Sequence, residues 1–530
     1  MAFIAAMDTT ITENGALAYA STRNPFLDLF FQLVRTTTAE QIKNMVSNVF
    51  TYETFEHAGK TYNNLDFFNR MVMYTRNVRG GVGERDLSYY MFMSIMANND
   101  FDSMRRLMKH FAHFGYWKDY INLYKKIEED TVFGIDGVMK KAYTRDMVNI
   151  YCEQLKKDYT DLIKTKSSSE SEKSPSISLA AKWMPSDRDA IDKKYHLLDK
   201  FAWKMAELME WKVDNSKTYH VREMLRKQII APLRKAIKLV EIDMCARQWD
   251  NINYEGVPSN AMNRYKKAFA KRDEERFAKY KAGLISGEKK VNFETVYPHE
   301  IMREYVYGRK NLDEVSEAQM NGWRDKLMEM GKFGNSVSIV DVSGSMSGQP
   351  MEVAVALGCL FSSVANEPFR NATITFSENP TFFNLNDESW CDKIHKLMKA
   401  PWGMNTNFSA VFNLILNRAK EMELRQCDMP ERLYVFSDMQ FDQADSGYHT
   451  HYESIKKKYK DAGYELPQII FWNLRASSSN SSYPATLINK NVALLSGFSP
   501  AIVKSVLDVS DLTPMGTMIN AIMDKAYDNI

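Results

Sequence analysis

No apolar run in this 530-residue chain approaches the roughly 20 residues that cross a bilayer. The opening residues, "MAFIAAMDTT", also lack the basic flank and long apolar stretch of a secretion signal. Together these absences predict an intracellular, cytoplasmic protein with no membrane segment. The five cysteines, Cys152, Cys245, Cys359, Cys391 and Cys427, show no CxxC or histidine-paired spacing. That argues against a disulfide framework and a zinc module, and the expectation is free, buried thiols. No G-x-x-x-x-G-K-[ST] occurs, so no nucleotide cofactor is expected. His299-Glu300 in "PHEIMREYV" has no second histidine to complete a zinc-protease pair. Asp341 has no second aspartate two residues on, which argues against a phosphoryl-accepting carboxylate. These gaps lead to the expectation that the chain is not an enzyme.

What is present suits a folded, multidomain protein: 45% hydrophobic and 26% charged residues, over a length too great for one ordinary core. The net charge of +2 is unevenly spread. Basic residues exceed acidic ones by about nine between Lys217 and Lys290, whereas the chain from Gly331 onward is acidic by about four.

Up to about residue 330 the pattern reads as helices. "FFNRMVMYTRNVRG", "LSYYMFMSIMANND", "FDSMRRLMKHFAHFG" and "WKDYINLYKKIEED" repeat apolar and aromatic residues at three- and four-residue spacing, interrupted by Gly, Asn or Asp. Successive short amphipathic helices suggest a helical-repeat layer, although no strict period appears. The Ser-rich, charged stretch over 164–178 predicts a mobile loop inside that layer. Beyond it, "VREMLRKQIIAPLRKAIKLVEIDMCARQW" and "MNRYKKAFAKRDEERFAKYKAGL" continue as basic helices. From residue 331 the texture changes. "SVSIVDV", "ATITFS", "LYVFSDM", "QIIFWNL" and "VALLSG" are short β-branched and aromatic runs alternating with helical patterns. This alternation predicts an open, largely parallel sheet covered by helices, with ligands at the carboxyl ends of its strands. The expected domains are therefore 1–330 and 331–530.

At one such strand end stands "SIVDVSGSMSGQP". It admits three readings. Gly344-Ser345-Met346-Ser347-Gly348 fits G-x-S-x-G, with Ser347 as a nucleophile and Asp438 and His449 or His451 following in order. Against it, a hydrolase nucleophile strand lies inside a sheet whose earlier strands precede it, whereas this one follows a long helical region. Alternatively Asp341, Ser343 and Ser345 alternate as D-x-S-x-S and turn hard oxygen donors toward one point, suiting Mg²⁺ or a similar ion. Thr406 in "WGMNTNFSAV" and Asp438 in "LYVFSDM" stand at other loops where further ligands are needed. Finally, the small residues could simply form a turn and cap the next helix, with Ser347 as the cap.

The set Asp341, Ser343, Ser345, Thr406 and Asp438 resembles the metal-ion-dependent adhesion site of von Willebrand factor A domains. The resemblance implies an α/β Rossmann-like domain holding Mg²⁺ or Mn²⁺ through Ser343, Ser345 and Thr406. Asp341 and Asp438 would assist directly or through water, with one position open for a partner protein's acidic residue. Two departures are Asn407, where the family has Asp, and the missing Gly-Gly before Thr406. A helical N-terminal part joined to an A domain resembles the Ro autoantigen family, in which HEAT-like repeats form a ring. "RNVRGGVGERDL" and "FAHFGYWKDYINLY" are similar to that ring's sequences, and "ISLAAKWMPS" and "NYEGVPSNAMNRYKKAF" to a related viral, plant and fungal group. This resemblance implies a ribonucleoprotein component binding noncoding or structured RNA. The alternative is a protein-only scaffold.

Candidate phosphate contacts are Arg76, Arg79 and Arg85 around Gly80, Gly81 and Gly83. A second set, Arg222, Arg226, Arg234, Lys235 and Lys238, recurs at helical spacing. A third, Arg264, Lys266, Lys267, Lys271 and Arg272, is interleaved with Tyr265 and Phe269. A solvated basic face with its aromatics turned to the core, and an ordinary turn at the glycines, are the competing readings.

Overall fold

The computed structural model describes residues 9–51, 53–167, 176–187, 189–214, 216–308, 313–376, 380–386, 389–400, 407–442, 451–476, 482–507, 509 and 512–530. An N-terminal helical region is followed by a mixed sheet of six strands, giving a helical plus α/β multidomain layout. The backbone forms two compact units. One joins Met1–Leu87 to Asn253–Asn529; the other comprises Ser88–Ile252 with Ile530. Secondary structure does change between the helix Glu314–Met330 and the first sheet strand, at the expected boundary of 330/331. Packing cuts across it, because residues 1–87 and 253–330 share a unit with the sheet.

In the first unit, two hairpins interrupt the expected run of helices. They are β1 (Thr9–Ile11) with β2 (Leu17–Tyr19), and β3 (Thr54–His57) with β4 (Lys60–Asn63). Their strands of three or four residues are too short to show a clear period of two. The sheet that follows comprises β5 (Ser336–Asp341), β6 (Ala372–Phe376), β7 (Thr381–Asn384), β8 (Arg432–Ser437), β9 (Gln468–Asn473) and β10 (Val492–Ser496). Its order is β10-β9-β8-β5-β6-β7, parallel throughout except for the antiparallel edge strand β7. All five apolar runs read from the sequence are strands. β7, "TFFN", is largely exposed and lacks the buried pattern that marks the others. Every residue of β5 is buried, as a central strand covered on both faces requires.

Elements from the N-terminal region help cover this sheet. Helix Pro25–Phe31 packs on β10, and helix Pro298–Val306 packs on Gln349–Ser362 and Trp390–Met398. Polar side chains at the strand ends secure the first contact. Ser496 Oγ donates to Phe30 O (2.5 Å) and Asn473 Nδ2 to Phe31 O (2.9 Å), both carbonyls of the last helical turn.

The second unit is helical. Its long helix Gly137–Ser167 packs against Phe101–Met108, Lys118–Glu128, Leu197–Leu208 and Ala231–Ala236. Buried tyrosines fill the core and find acceptors: Tyr89 donates to Asp119 Oδ1 (2.6 Å) and Tyr143 to Tyr120 O (2.9 Å). Because this helix runs to Ser167, the first residues of the expected loop over 164–178 are helical; 168–175 lie outside the described residues. The expected helix from Val221 is broken. A π turn over Leu225–Ile230 precedes Pro232, whose ring cannot accommodate an ordinary α-helical turn before it, and Leu239 interrupts the chain again. Among the described residues no helix is long and apolar enough to cross a membrane.

Candidate metal centre

The site is built at the carboxyl ends of β5 and β8. Their parallel register sets Val340 opposite Phe436, so the next residues, Asp341 and Ser437, leave the ladder side by side. Asp341 is fully buried. Its Oδ1 accepts the Ser343 amide (2.9 Å) and its Oδ2 accepts the Ser437 hydroxyl (2.6 Å). The chain then turns through Gly344–Met346, leaving the hydroxyls of Ser343 and Ser345 3.1 Å apart. Asp438, 2% exposed, follows Ser437. Its Oδ1 accepts the Gln440 amide (3.2 Å), while its buried Oδ2 has no hydrogen-bond partner among the described residues.

Burial, and then the neighbouring charge of Asp438, push the Asp341 carboxyl up to about 7; burial also raises Asp438. Two buried carboxyls that feel each other's charge resist ionising together. A cation between them would reverse that preference, since it stabilises both charges at once.

Asp341, Ser343, Ser345 and Asp438 are thus brought together, and as hard oxygen donors they fit a small divalent ion. Thr406 lies outside the described residues. Asn407 caps helix Phe408–Glu421 by accepting the Ala410 amide (3.0 Å). Among the described residues there is no cluster of three or more His, Cys, Asp or Glu suited to a metal, so the hydroxyls carry the fit. Ser347 does not cap the next helix. Its hydroxyl donates to Gly344 O (2.7 Å), and Gly348, at φ 88°, occupies the cap position. His449 lies outside the described residues.

Several neighbours escaped the sequence reading. Leu474 donates its amide to Ser437 O (3.0 Å), extending the β8–β9 ladder one step and carrying Arg475 alongside the site. Arg475 Nη1 donates to Ser345 O (2.8 Å) and stands 3.6 Å from Asp438 Oδ2. The turn between β1 and β2 also reaches the β8 loop. Thr12 Oγ1 donates to Phe441 O (2.7 Å), the Glu13 amide to Gln440 Oε1 (2.8 Å) and Asn14 Nδ2 to Gln440 O (2.7 Å). Only the polar residue at the end of each strand run, such as Asn473, could have flagged Arg475 in advance.

The basic candidates separate sharply. Arg76 is 2% exposed and Lys266 is 8% exposed; Lys266 pairs with Asp313 (2.9 Å) and donates to Ser316 (2.8 Å). Neither is placed to meet a phosphate. Arg234 donates to Ala181 O and Met184 O (both 2.9 Å), tying helices together. Arg222 is held by Asp199, Asp192 (2.9 Å) and Asp187 (3.5 Å). Lys267 is exposed but paired with Glu304 (2.6 Å), and Arg85 pairs with Asp86 (3.2 Å). Arg79, Arg226, Lys235, Lys238, Arg264, Lys271 and Arg272 are exposed. Phe269 is in the core. The glycines near Arg79 serve a tight turn: a Cβ on Gly81 would stand 2.1 Å from Tyr74 O, and one on Gly83 2.0 Å from the Tyr297 hydroxyl. Unnoticed in the sequence was a groove of about 740 Å³ beside helix Gly137–Ser167, lined by Lys140, Lys141, Arg145, Lys200 and Lys204 together with Glu128 and Glu207.

Comparison with known proteins gives matches over nearly the whole chain. Residues 12–146 and 138–333 match the domain of unknown function DUF2828, and residues 335–525 match the domain of unknown function DUF7788. The "Uncharacterized protein L728" of Acanthamoeba polyphaga mimivirus is 30% identical over 531 residues, spanning 97% of this chain and 87% of its own. The chain therefore belongs to the DUF2828 family.

Proposed function

We propose that this protein is a non-enzymatic binding protein whose sheet is a von Willebrand factor A-like domain with a Mg²⁺ or Mn²⁺ adhesion site. The observation that carries this reading is Asp438 Oδ2, buried without a hydrogen bond next to Asp341 and the Ser343 and Ser345 hydroxyls. The Arg475 guanidinium, 3.6 Å away, offsets its charge without making a hydrogen bond, and a buried carboxylate oxygen left unbonded is costly. Ser343, Ser345, Asp341 and Asp438 would hold the ion, with Thr406 completing the set as the family resemblance implies. The ion would supply a Lewis-acid position for an acidic residue of a partner protein.

The test is a Mn²⁺ titration of the full chain followed by electron paramagnetic resonance. Asp341→Asn and Ser343→Ala are expected to lose binding. Asp341→Asn removes one of two buried carboxylates but also turns an oxygen that accepts from Ser343 or Ser437 into a donor, so a thermal melt accompanies the titration to confirm that the variant folds. Wild-type protein that takes up no more Mn²⁺ than Asp341→Asn would sink the reading.

A second reading concerns the helical region, which we propose is HEAT-like and binds structured RNA in the manner of the Ro family. The basic groove beside helix Gly137–Ser167 favours it. Reversing Lys140, Lys141 and Arg145 to Glu should then weaken RNA binding, and affinity should fall steeply with added salt. A flat salt dependence would leave a protein-only scaffold. Lys266 is unsuited to this test, since reversing a buried charge paired with Asp313 would disturb the fold.

A further inference from the structure

Arg475 is the one cation shown in contact with the candidate metal centre among the described residues, and its position is tightly specified. Its own amide donates to Asn473 Oδ1 (3.1 Å), and Asn473 is in turn pinned to Phe31 O. The Leu474 amide extends the ladder to β8, and the Ala476 amide donates to Thr36 Oγ1 (2.8 Å), so the backbone on either side is held. From this frame Nη1 donates to Ser345 O in the D-x-S-x-S turn and lies 3.6 Å from the orphaned Asp438 Oδ2. The separation is too long for a hydrogen bond but close enough for charge to act in a buried setting. The guanidinium side chain is 35% exposed, so it has room to swing toward solvent.

We propose that Arg475 is a resident competitor for the divalent ion: it neutralises Asp438 when the site is empty of metal and thereby sets the affinity for the ion. The inference rests on the metal-site reading above. An incoming dication must share Asp438 with the guanidinium, and must meet the repulsion of its charge at close range. Glu13 acts in the opposite sense, since its charge reaches Asp438, but it is exposed and screened by solvent. Removing the Arg475 charge should therefore tighten metal binding, whereas a residue that merely braces the loop would weaken it when lost.

The experiment compares Mn²⁺ affinity by electron paramagnetic resonance in the full chain for wild type, Arg475→Gln, Arg475→Lys and Asp341→Asn, with thermal melts confirming that each folds. Arg475→Gln is expected to bind Mn²⁺ at least roughly tenfold more tightly than wild type. Arg475→Lys, keeping the charge, should stay near wild type, and Asp341→Asn should not bind. Should Arg475→Gln prove unfolded, Arg475→Met, which retains the aliphatic stem, replaces it. Equal affinity in wild type and the neutral variants, with Asp341→Asn still inactive, overturns the role of Arg475 and leaves the metal site standing. Tightening in Arg475→Lys as well would also overturn it, because charge would not be the cause. Binding in none of the proteins removes the metal site and this inference together.

Discussion

His299 shows how burial can silence a titratable side chain. Its ring stacks against Tyr297, meets Phe498 edge-on, and lies 3.3 Å from Gln349 Nε2, while Nδ1 is buried with no hydrogen-bond partner among the described residues. Burial first, then the charges of Arg35 and Arg303, push it from 6.5 to about 3. Below pH 6.5 the unfolded chain takes up a proton that the native ring refuses. The His299 contribution to stability is therefore full above that value and declines as pH falls toward 3, by on the order of a few kcal/mol. Denaturant unfolding at pH 7 and pH 5 should show wild type losing more stability than His299→Phe. An equal loss in both would place the acid sensitivity elsewhere. Arg76 and Lys266 make the same point about charge: their spacing suits an exposed face, yet both are buried. Lys266 is buried because Asp313, distant in sequence, reaches it. Local periodicity carries no information about so remote a partner.

Among elements, helix Gln349–Ser362 and strand β5 set the height of the candidate metal centre. The helix is buried along nearly its whole length, and Gly358 lets it approach the sheet: a Cβ there would stand 2.2 Å from Val340 Cγ2. Val340 is one residue before Asp341, and its branched side chain has little freedom to give way. Gly358→Ala should cost about 1–3 kcal/mol, read as a lower denaturation midpoint, and should weaken Mn²⁺ binding as well. A variant as stable as wild type would show that the helix can shift without cost. Elements of this kind were legible because β5, β6, β8, β9 and β10 are near-continuous apolar runs with polar residues at their ends. The hairpins β1–β2 and β3–β4 and edge strand β7 were not, because short or exposed strands bury too little to impose a pattern.

For the whole molecule, composition divides the chain near residue 330, but the core does not. Residues 1–87 belong to the same compact unit as the sheet, and Phe30 O and Phe31 O are satisfied by Ser496 and Asn473. A fragment 331–530 would expose the β10 surface that helix Pro25–Phe31 covers and leave those strand-end groups without their partners. It should be markedly less stable than the full chain or aggregate, as judged by thermal melting and size-exclusion chromatography. Cooperative folding of that fragment at wild-type stability would show the N-terminal helices to be dispensable.

The sequence by itself determined the elements whose signal is local: the buried strands, the amphipathic helices between them, and the D-x-S-x-S turn with Asp438 at the next strand end. It also contained the donor types a divalent ion prefers, because those depend on side-chain chemistry alone. Only the tertiary structure decided which charges meet. It set Asp341 beside Ser437 through the β5–β8 register, carried Arg475 to Asp438 on a ladder extended past β9, and brought the Glu13 turn onto the β8 loop. It likewise withdrew Arg76 and Lys266 from the surface, tied the half-buried Arg234 to Ala181 O, and lined a groove with lysines that no motif had marked. The physical reason is that burial and electrostatics depend on distance in space, and residues far apart in sequence become neighbours only when the core closes.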